Sequence, residues 1–233
     1  MSTHEPPHGL RENQIGATGL ADLLRAQTRA LHVRAEHSGI VRDLLKGQAD
    51  QNGYALYLRN ILPAYRELES GLDRNRSVPG VELIARRDLY RAPALESDLR
   101  ALKGDAWESY LPLLPAGERY RRRIAKVAAA DPARLIAYAY VRYLGDLNGG
   151  LILRKLLARA LELPESALAF YDFPLIDDLP AAKRSYRAAF DLAGQAIGDP
   201  TSIANEAAMA FRLNIGVSEA VHDLLTGAVD ATL

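Results

Sequence analysis

The sequence predicts an all-α, single-domain protein, and three observations carry that prediction. Apolar residues recur at three- and four-residue steps from Thr18 to about Thr226. Each such run is bounded by Pro, Gly or Asp, the residues that start and stop helices. No stretch alternates apolar and polar positions as a half-buried strand would, and no internal repeat is present. A chain of 233 residues can bury one sizeable core without needing a second domain.

The first 17 or so residues combine Pro, Gly, Asn and charge without periodicity, and read as a disordered or loosely docked arm before a helical domain over 18–228. Thr18 is placed to cap a helix carrying Leu20, Leu23, Leu24, Leu31 and Ala35, with Gly39 at its end. A short element, "IVRDLLKG", follows. Asp50 then caps a long helix with Tyr54, Leu58, Ile61, Leu62, Tyr65 and Leu68 on one stripe, and Pro63 inside it predicts a kink near 59–62. "RSVPGVE" reads as a loop. Further helices are expected at about 93–103, 116–129 and 132–161, then a turn at "SALAFYDFP", a helix at about 180–197 and a last one from Thr201 to about Thr226.

Composition excludes several functions. With 29 basic and 29 acidic residues the net charge is zero, which disfavours nucleic acid and anionic membranes as partners. No apolar run approaches the roughly 20 residues that span a bilayer, and the N-terminus has no signal-peptide core, so a cytoplasmic location is expected. Cysteine is absent, so thiolate chemistry, cysteine-ligated zinc and iron–sulfur clusters are excluded.

One stretch resists the helical pattern. "YLGDLNGG" at 143–150 sits between strong helix formers, and each interior glycine costs about 1 kcal/mol relative to alanine. On a continuous helix Arg142, Gly145, Asp146, Gly149 and Gly150 share one face with almost no side chains at its middle. Three readings fit: close packing of another helix, a helix end with glycine at its cap, or a flat ligand lying against bare backbone beside the Asp146 carboxylate. Spacing alone does not choose among them.

A flat ligand held without cysteine suggests haem, whose iron takes His, Met, Cys or Tyr. The histidines are His4, His8, His32, His37 and His222, and the methionines are Met1 and Met209. His32 lies at the margin of an apolar stripe, on one face with Arg25, Thr28, Arg29 and Glu36; an ordinary boundary histidine is the plainer reading. Arg25, seven residues back, is about 10 Å along the axis, within reach of a carboxylate at a macrocycle edge. Glu36 can accept the second imidazole N–H, directly or through water.

The segments "LHVRAEHSGIVRDLLKGQ" (31–48), "AYVRYLGDLNGGLILRKLLARAL", "LAFYDFP" and "AFRLNIGVSEAV" resemble, in order, the proximal and distal signatures of the haem (heme) oxygenase family, in its soluble bacterial form. The likeness covers roughly residues 18–226. It implies haem b as both substrate and cofactor between a proximal and a kinked distal helix, with His32 as axial iron ligand steadied by Glu36. Arg25, Lys183 and Arg187 match propionate-binding positions, and Thr28 shares the face of His32 and Arg25. Gly145, Gly149 and Gly150 match the glycines over the ring, and Asp146 matches the carboxylate that organises distal water. Tyr65, Tyr120, Arg142 and Asn214 match further members of that network, and Tyr140 and Phe211 match pocket walls. Asn148 and Leu151 depart from the family's usual serine and glutamine.

The reaction implied is cleavage of haem by O2 and electrons from an external reductant, giving biliverdin, CO and iron, with Asp146 relaying a proton through water. The reductant would be ferredoxin, a flavodoxin-like protein or a reductase, and the product would pass to a bacteriophytochrome or a biliverdin reductase. Two rivals are a non-catalytic haem carrier and a relative using the fold for another small molecule, as thiaminase-like and pyrroloquinoline-quinone-related proteins do. Two other motifs are weaker. Glu219-x-x-His222 has di-iron spacing but no second copy. "ERYRRRIAK" at 118–126 reads as a solvated helix face or as a docking site for an acidic electron donor.

Overall fold

The computed structural model describes residues 19–228. Among them there are helices and no strands: α1 Leu20–Glu36, α2 Gly39–Leu45, α3 Gln51–Arg74, α4 Val81–Ile84, α5 Ala92–Lys103, α6 Trp107–Tyr110, α7 Pro115–Ala130, α8 Leu135–Ala139, α9 Gly145–Ala160, α10 Leu179–Ala196 and α11 Pro200–Thr226. The expected N-terminal arm, Thr18, His4, His8 and Met1 lie outside the described residues. No described helix is long and apolar enough to cross a membrane.

The centre of the molecule is α3. Its stripe residues Tyr54, Leu58, Ile61, Leu62, Tyr65 and Leu68 have no exposed surface, and it packs against α5, α7 and α11. Each such side chain contributes about 1.5–3 kcal/mol on leaving water, so this helix anchors the core. Asp50 caps it as the sequence predicts, accepting from the Gly53 amide at 2.7 Å. Pro63 sits inside α3 without ending it.

Several boundaries differ from the sequence reading for local reasons. Helix α1 opens at Gly19, and the orphan amide of Ala21 is met by Asp191 of α10 at 2.9 Å. It stops at Glu36, and Gly39 begins α2 instead of ending α1. Gly39 has a φ of +51°, and a Cβ there would stand 2.3 Å from the Ser218 carbonyl of α11, so the close crossing of α2 and α11 requires glycine. The helix expected over 132–161 is composite: a 3-10 turn at Pro132–Arg134, then α8, then a π-helical segment at Tyr140–Leu144, then α9. The short helices α4 and α6 had no periodic signal, because four residues carry too few apolar positions to show one.

Candidate active site

The glycine stretch is neither a helix end nor a helix crossing. Gly145 has φ −62° and ψ −51° and continues the chain into α9. A Cβ built at Gly145 or at Gly149 would meet nothing within 4 Å. Both glycines therefore face open space, which is the observation expected of a cradle for a ligand and not of packed backbone. Gly150 departs from the predicted face: it is buried, with the Tyr171 ring 3.6 Å from its would-be Cβ. One residue turns a helix by about 100°, so Gly150 looks inward while Gly149 looks out. Arg142 lies in the π segment that precedes α9.

Behind the open glycines is a polar network. Asp146 accepts from Tyr65 Oη at 2.6 Å, and Tyr65 Oη accepts from Arg142 Nε at 2.9 Å. Arg142 Nη1 donates to Asn214 Oδ1 of α11, and its guanidinium lies 4.7 Å from the Tyr65 ring centroid. Tyr65, Arg142, Asp146 and Asn214, chosen from sequence, are thus brought together. Tyr120 is fully buried and faces Arg142, but its Oη makes no hydrogen bond; burial pushes the phenol up to about 12. Burial raises the Asp146 carboxyl, against the lowering pull of Arg142, Tyr65 and Arg91. Arg142 is only 7% exposed, and although burial disfavours its charge, Tyr65, Tyr57 and Asp146 hold it protonated.

Helix α11 links this network to the histidine. Phe211, three residues before Asn214, is buried and meets His32 edge to face at 5.8 Å between centroids. The His32 side chain is 56% exposed, with Nδ1 3.7 Å from Glu36 Oε1, too far for a direct hydrogen bond but within ion-pair range. That leaves Nε2 as the nitrogen available to a metal. Thr28, one turn earlier, is buried and donates to Leu24 O at 2.7 Å, and the half-buried Tyr140 phenol faces Thr28, Arg187 and Arg25. The residues present fit haem: an exposed imidazole on α1, a Tyr140 phenol facing Arg187 and Arg25, and uncovered glycine backbone on α9. Of the three cations, Arg187 is engaged with Asp22 at 2.6 Å; Arg25 is exposed, and Lys183 lies half-buried one turn from Arg187 on α10.

Sequence reading missed a second layer. Glu69 is buried and accepts from the Arg91 and Ala92 amides at 2.6 and 3.0 Å, and burial raises its carboxyl to about 7. Arg91 is 5% exposed, lies 4.3 Å from the Phe173 ring centroid and donates only to backbone carbonyls. Both act electrostatically on Asp146. Tyr57 and Tyr143, also buried, complete the wall. No spacing rule links residues 69 and 91 to 146, although a Glu inside an otherwise apolar stripe was the available signal.

The weaker motifs resolve structurally. Glu219 pairs with Arg34 at 3.2 Å, and His222 Nδ1 with Asp43 at 2.6 Å; no cluster of three metal-binding side chains occurs among the described residues. In the basic run, Glu118 takes Arg121 and Arg122, both at 2.7 Å, and Arg123 pairs with the buried Glu206. Much of its charge is spent internally.

Known proteins resemble this chain in sequence and in fold. The family model described as heme oxygenase matches residues 18–220. The chain is 36% identical over 210 residues to heme oxygenase 1 of Rattus norvegicus, covering 89% of this chain and 73% of that protein. Against heme oxygenase 1 of Nostoc sp. it is 35% identical over 220 residues, covering 93% and 92%. The fold matches the crystal structure of Synechocystis heme oxygenase-1 in complex with heme with a TM-score of 0.83 at 33% identity, over 91% of this chain and 96% of that one. It matches heme oxygenase from Leptospira interrogans with a TM-score of 0.82 at 37% identity, over 87% and 100%. A family match across residues 18–220, with identities of 35–36% to relatives covered over most of their length, shows that this chain belongs to the heme oxygenase family.

Proposed function

We propose that this protein opens haem oxidatively, using O2 and electrons from an external reductant, to biliverdin, CO and iron. The observation that carries the reading is the Asn214–Arg142–Tyr65–Asp146 chain of hydrogen bonds behind two uncovered glycines. A protein that only held haem would need His32 but no such proton-bearing network.

Haem is the substrate and, when bound, also supplies the iron at which O2 is activated. The chain's own residues do the rest. His32 offers Nε2 to the iron while Glu36 orients the ring. Arg25, Lys183 and Arg187 attract the propionates and so set how the ring is seated. Gly145 and Gly149 let the distal backbone lie close to the ring face, where any Cβ would hold it off. Asp146 holds and moves the proton: burial lifts its carboxyl and Arg142 restrains it, so it exchanges a proton more readily than an exposed aspartate would. Tyr65 fixes its orientation, and Tyr140 and Phe211 exclude bulk water. Ferredoxin, a flavodoxin-like protein or a reductase supplies the electrons, and a bacteriophytochrome or biliverdin reductase is the chemically fitting consumer of the product.

Haemin added to the protein should produce a Soret band. Reductant and O2 should then replace that band with biliverdin absorption. A Soret band that persists through reduction and aeration would make the protein a carrier.

A further inference from the structure

The described residues contain an unusual density of buried tyrosines, and the site uses only some of them. Tyr54, Tyr65, Tyr120, Tyr138, Tyr143 and Tyr186 are all fully buried. Their ring contacts form two separate groups. Tyr65 lies 6.3 Å from Tyr143 between ring centroids, and Tyr143 stacks on Tyr90 at 6.2 Å with 21° between planes. Tyr143 also meets Tyr186 at 6.4 Å. Tyr120 and Tyr138, 6.1 Å apart, form their own pair.

The ends of these contacts differ chemically. Removing an electron from a phenol makes its O–H strongly acidic, so a tyrosine gives up an electron readily only where a base can take the proton. Tyr143 Oη is buried with no hydrogen-bond partner, so a hole can cross it but not settle there. Tyr186 Oη donates to the Ile84 carbonyl at 3.2 Å, which is not a base. Tyr65 donates to Asp146 within the site itself; beyond it, Tyr90 is the one tyrosine of this branch that donates to a carboxylate, Asp73 Oδ1, at 2.9 Å. Asp73 also takes Arg76 at 2.8 Å and Arg87 at 3.2 Å; burial works against its charge, but these bonds keep it ionised and ready to accept. Tyr90 is half-buried, so the branch runs from the Asp146 network to the surface.

We propose that Tyr65, Tyr143 and Tyr90 form a discharge path that carries oxidising equivalents from the haem site to Tyr90, with Asp73 as proton acceptor. This rests on the haem-binding reading above. The oxidant is a peroxide: its reduction to water takes two electrons from the haem–protein complex and two protons from solvent. One of those electrons is replaced from Tyr90, passing inward through the Tyr143 and Tyr65 rings. The Tyr90 O–H bond breaks, its proton goes to the Asp73 carboxylate, and a neutral phenoxyl radical remains. An external one-electron reductant such as ascorbate restores Tyr90, and Asp73 returns the proton. The path would spare the buried core when peroxide reaches the site without productive turnover.

The test uses the full chain loaded with haemin, treated with hydrogen peroxide and freeze-quenched for electron paramagnetic resonance, with spin-trap adducts mapped by mass spectrometry. A tyrosyl radical with adduct at Tyr90 is expected. Tyr90→Phe, which keeps the stacked ring, should abolish that adduct and speed haem bleaching by peroxide while leaving reductant-driven turnover unchanged. Asp73→Asn keeps an acceptor oxygen but loses the base, and should lower the Tyr90 yield; Tyr138→Phe should change nothing. An unaltered radical in Tyr90→Phe, or its loss in Tyr138→Phe instead, would overturn the path. Absence of a Soret band on adding haemin would instead overturn the functional reading beneath it.

Discussion

Gly145 and Gly149 hold their place against helix propensity, because each gives up about 1 kcal/mol that alanine would return. Nothing stands within 4 Å of a Cβ at either position, so protein packing does not require the glycine. Gly149→Ala should therefore leave the fold intact, with an unchanged or slightly raised melting temperature, yet weaken haemin binding in a Soret titration. A drop in melting temperature with unchanged haemin affinity would mean the glycine serves packing after all. Asp146 separates holding haem from opening it. Asp146→Ala removes the acceptor for Tyr65 Oη but leaves His32 and its ring contact with Phe211. It should bind haemin with a normal Soret band and divert turnover from biliverdin toward peroxidase-like products, measured by chromatography of the reaction mixture. Normal biliverdin yield would remove Asp146 from the proton relay.

At the scale of elements, Glu69 ties α3 to the start of α5 by accepting two of the amides that a helix N-terminus leaves unpaired. Its carboxyl stands near 4.5 in the unfolded chain and is raised to about 7 in the fold. The folded state then binds the extra proton between those values, so stability falls as pH rises from about 4.5 to 7 and the loss is complete above 7. The ceiling on this loss is about 3 kcal/mol. Glu69→Gln keeps the accepting oxygen without the charge, so the difference in denaturation midpoint between pH 5 and pH 8 should shrink in that variant. An identical pH dependence in both proteins would show that other groups set it. The same helices show what sequence could and could not convey. The stripe of α3, the Asp50 cap and the presence of Tyr65 in the network around Asp146 were legible, the first two from periodicity and capping chemistry, the last through the resemblance. The π segment at Tyr140–Leu144 was not, because one extra residue in a turn leaves no mark in composition. Glu69 and Arg91 escaped because only the tertiary crossing of α3 and α5 makes them neighbours.

For the whole molecule, stability is unevenly spread in a way that suits a ligand site. Helix α3 is sealed on nearly every side, and the 0% exposure of residues such as Leu58, Ile61 and Leu62 makes its amides reachable by exchange only on global unfolding. Helix α9 is different. Of its residues only Leu147, Gly150 and Leu157 are buried, while Leu151 is 49% and Ile152 70% exposed. The element bearing the glycine cradle is thus held by few contacts, and a ligand lying on it should supply the missing ones. Hydrogen exchange followed by mass spectrometry should find peptides from 140–160 exchanging well before those of α3 in the haem-free protein. Haemin should slow the 140–160 peptides selectively and raise the melting temperature with haemin concentration, as expected for a ligand that binds only the folded state. Equal protection of α3 and α9 without haemin would mean that α9 is already locked in place, and the distal side would then be a rigid wall instead of one completed by its substrate.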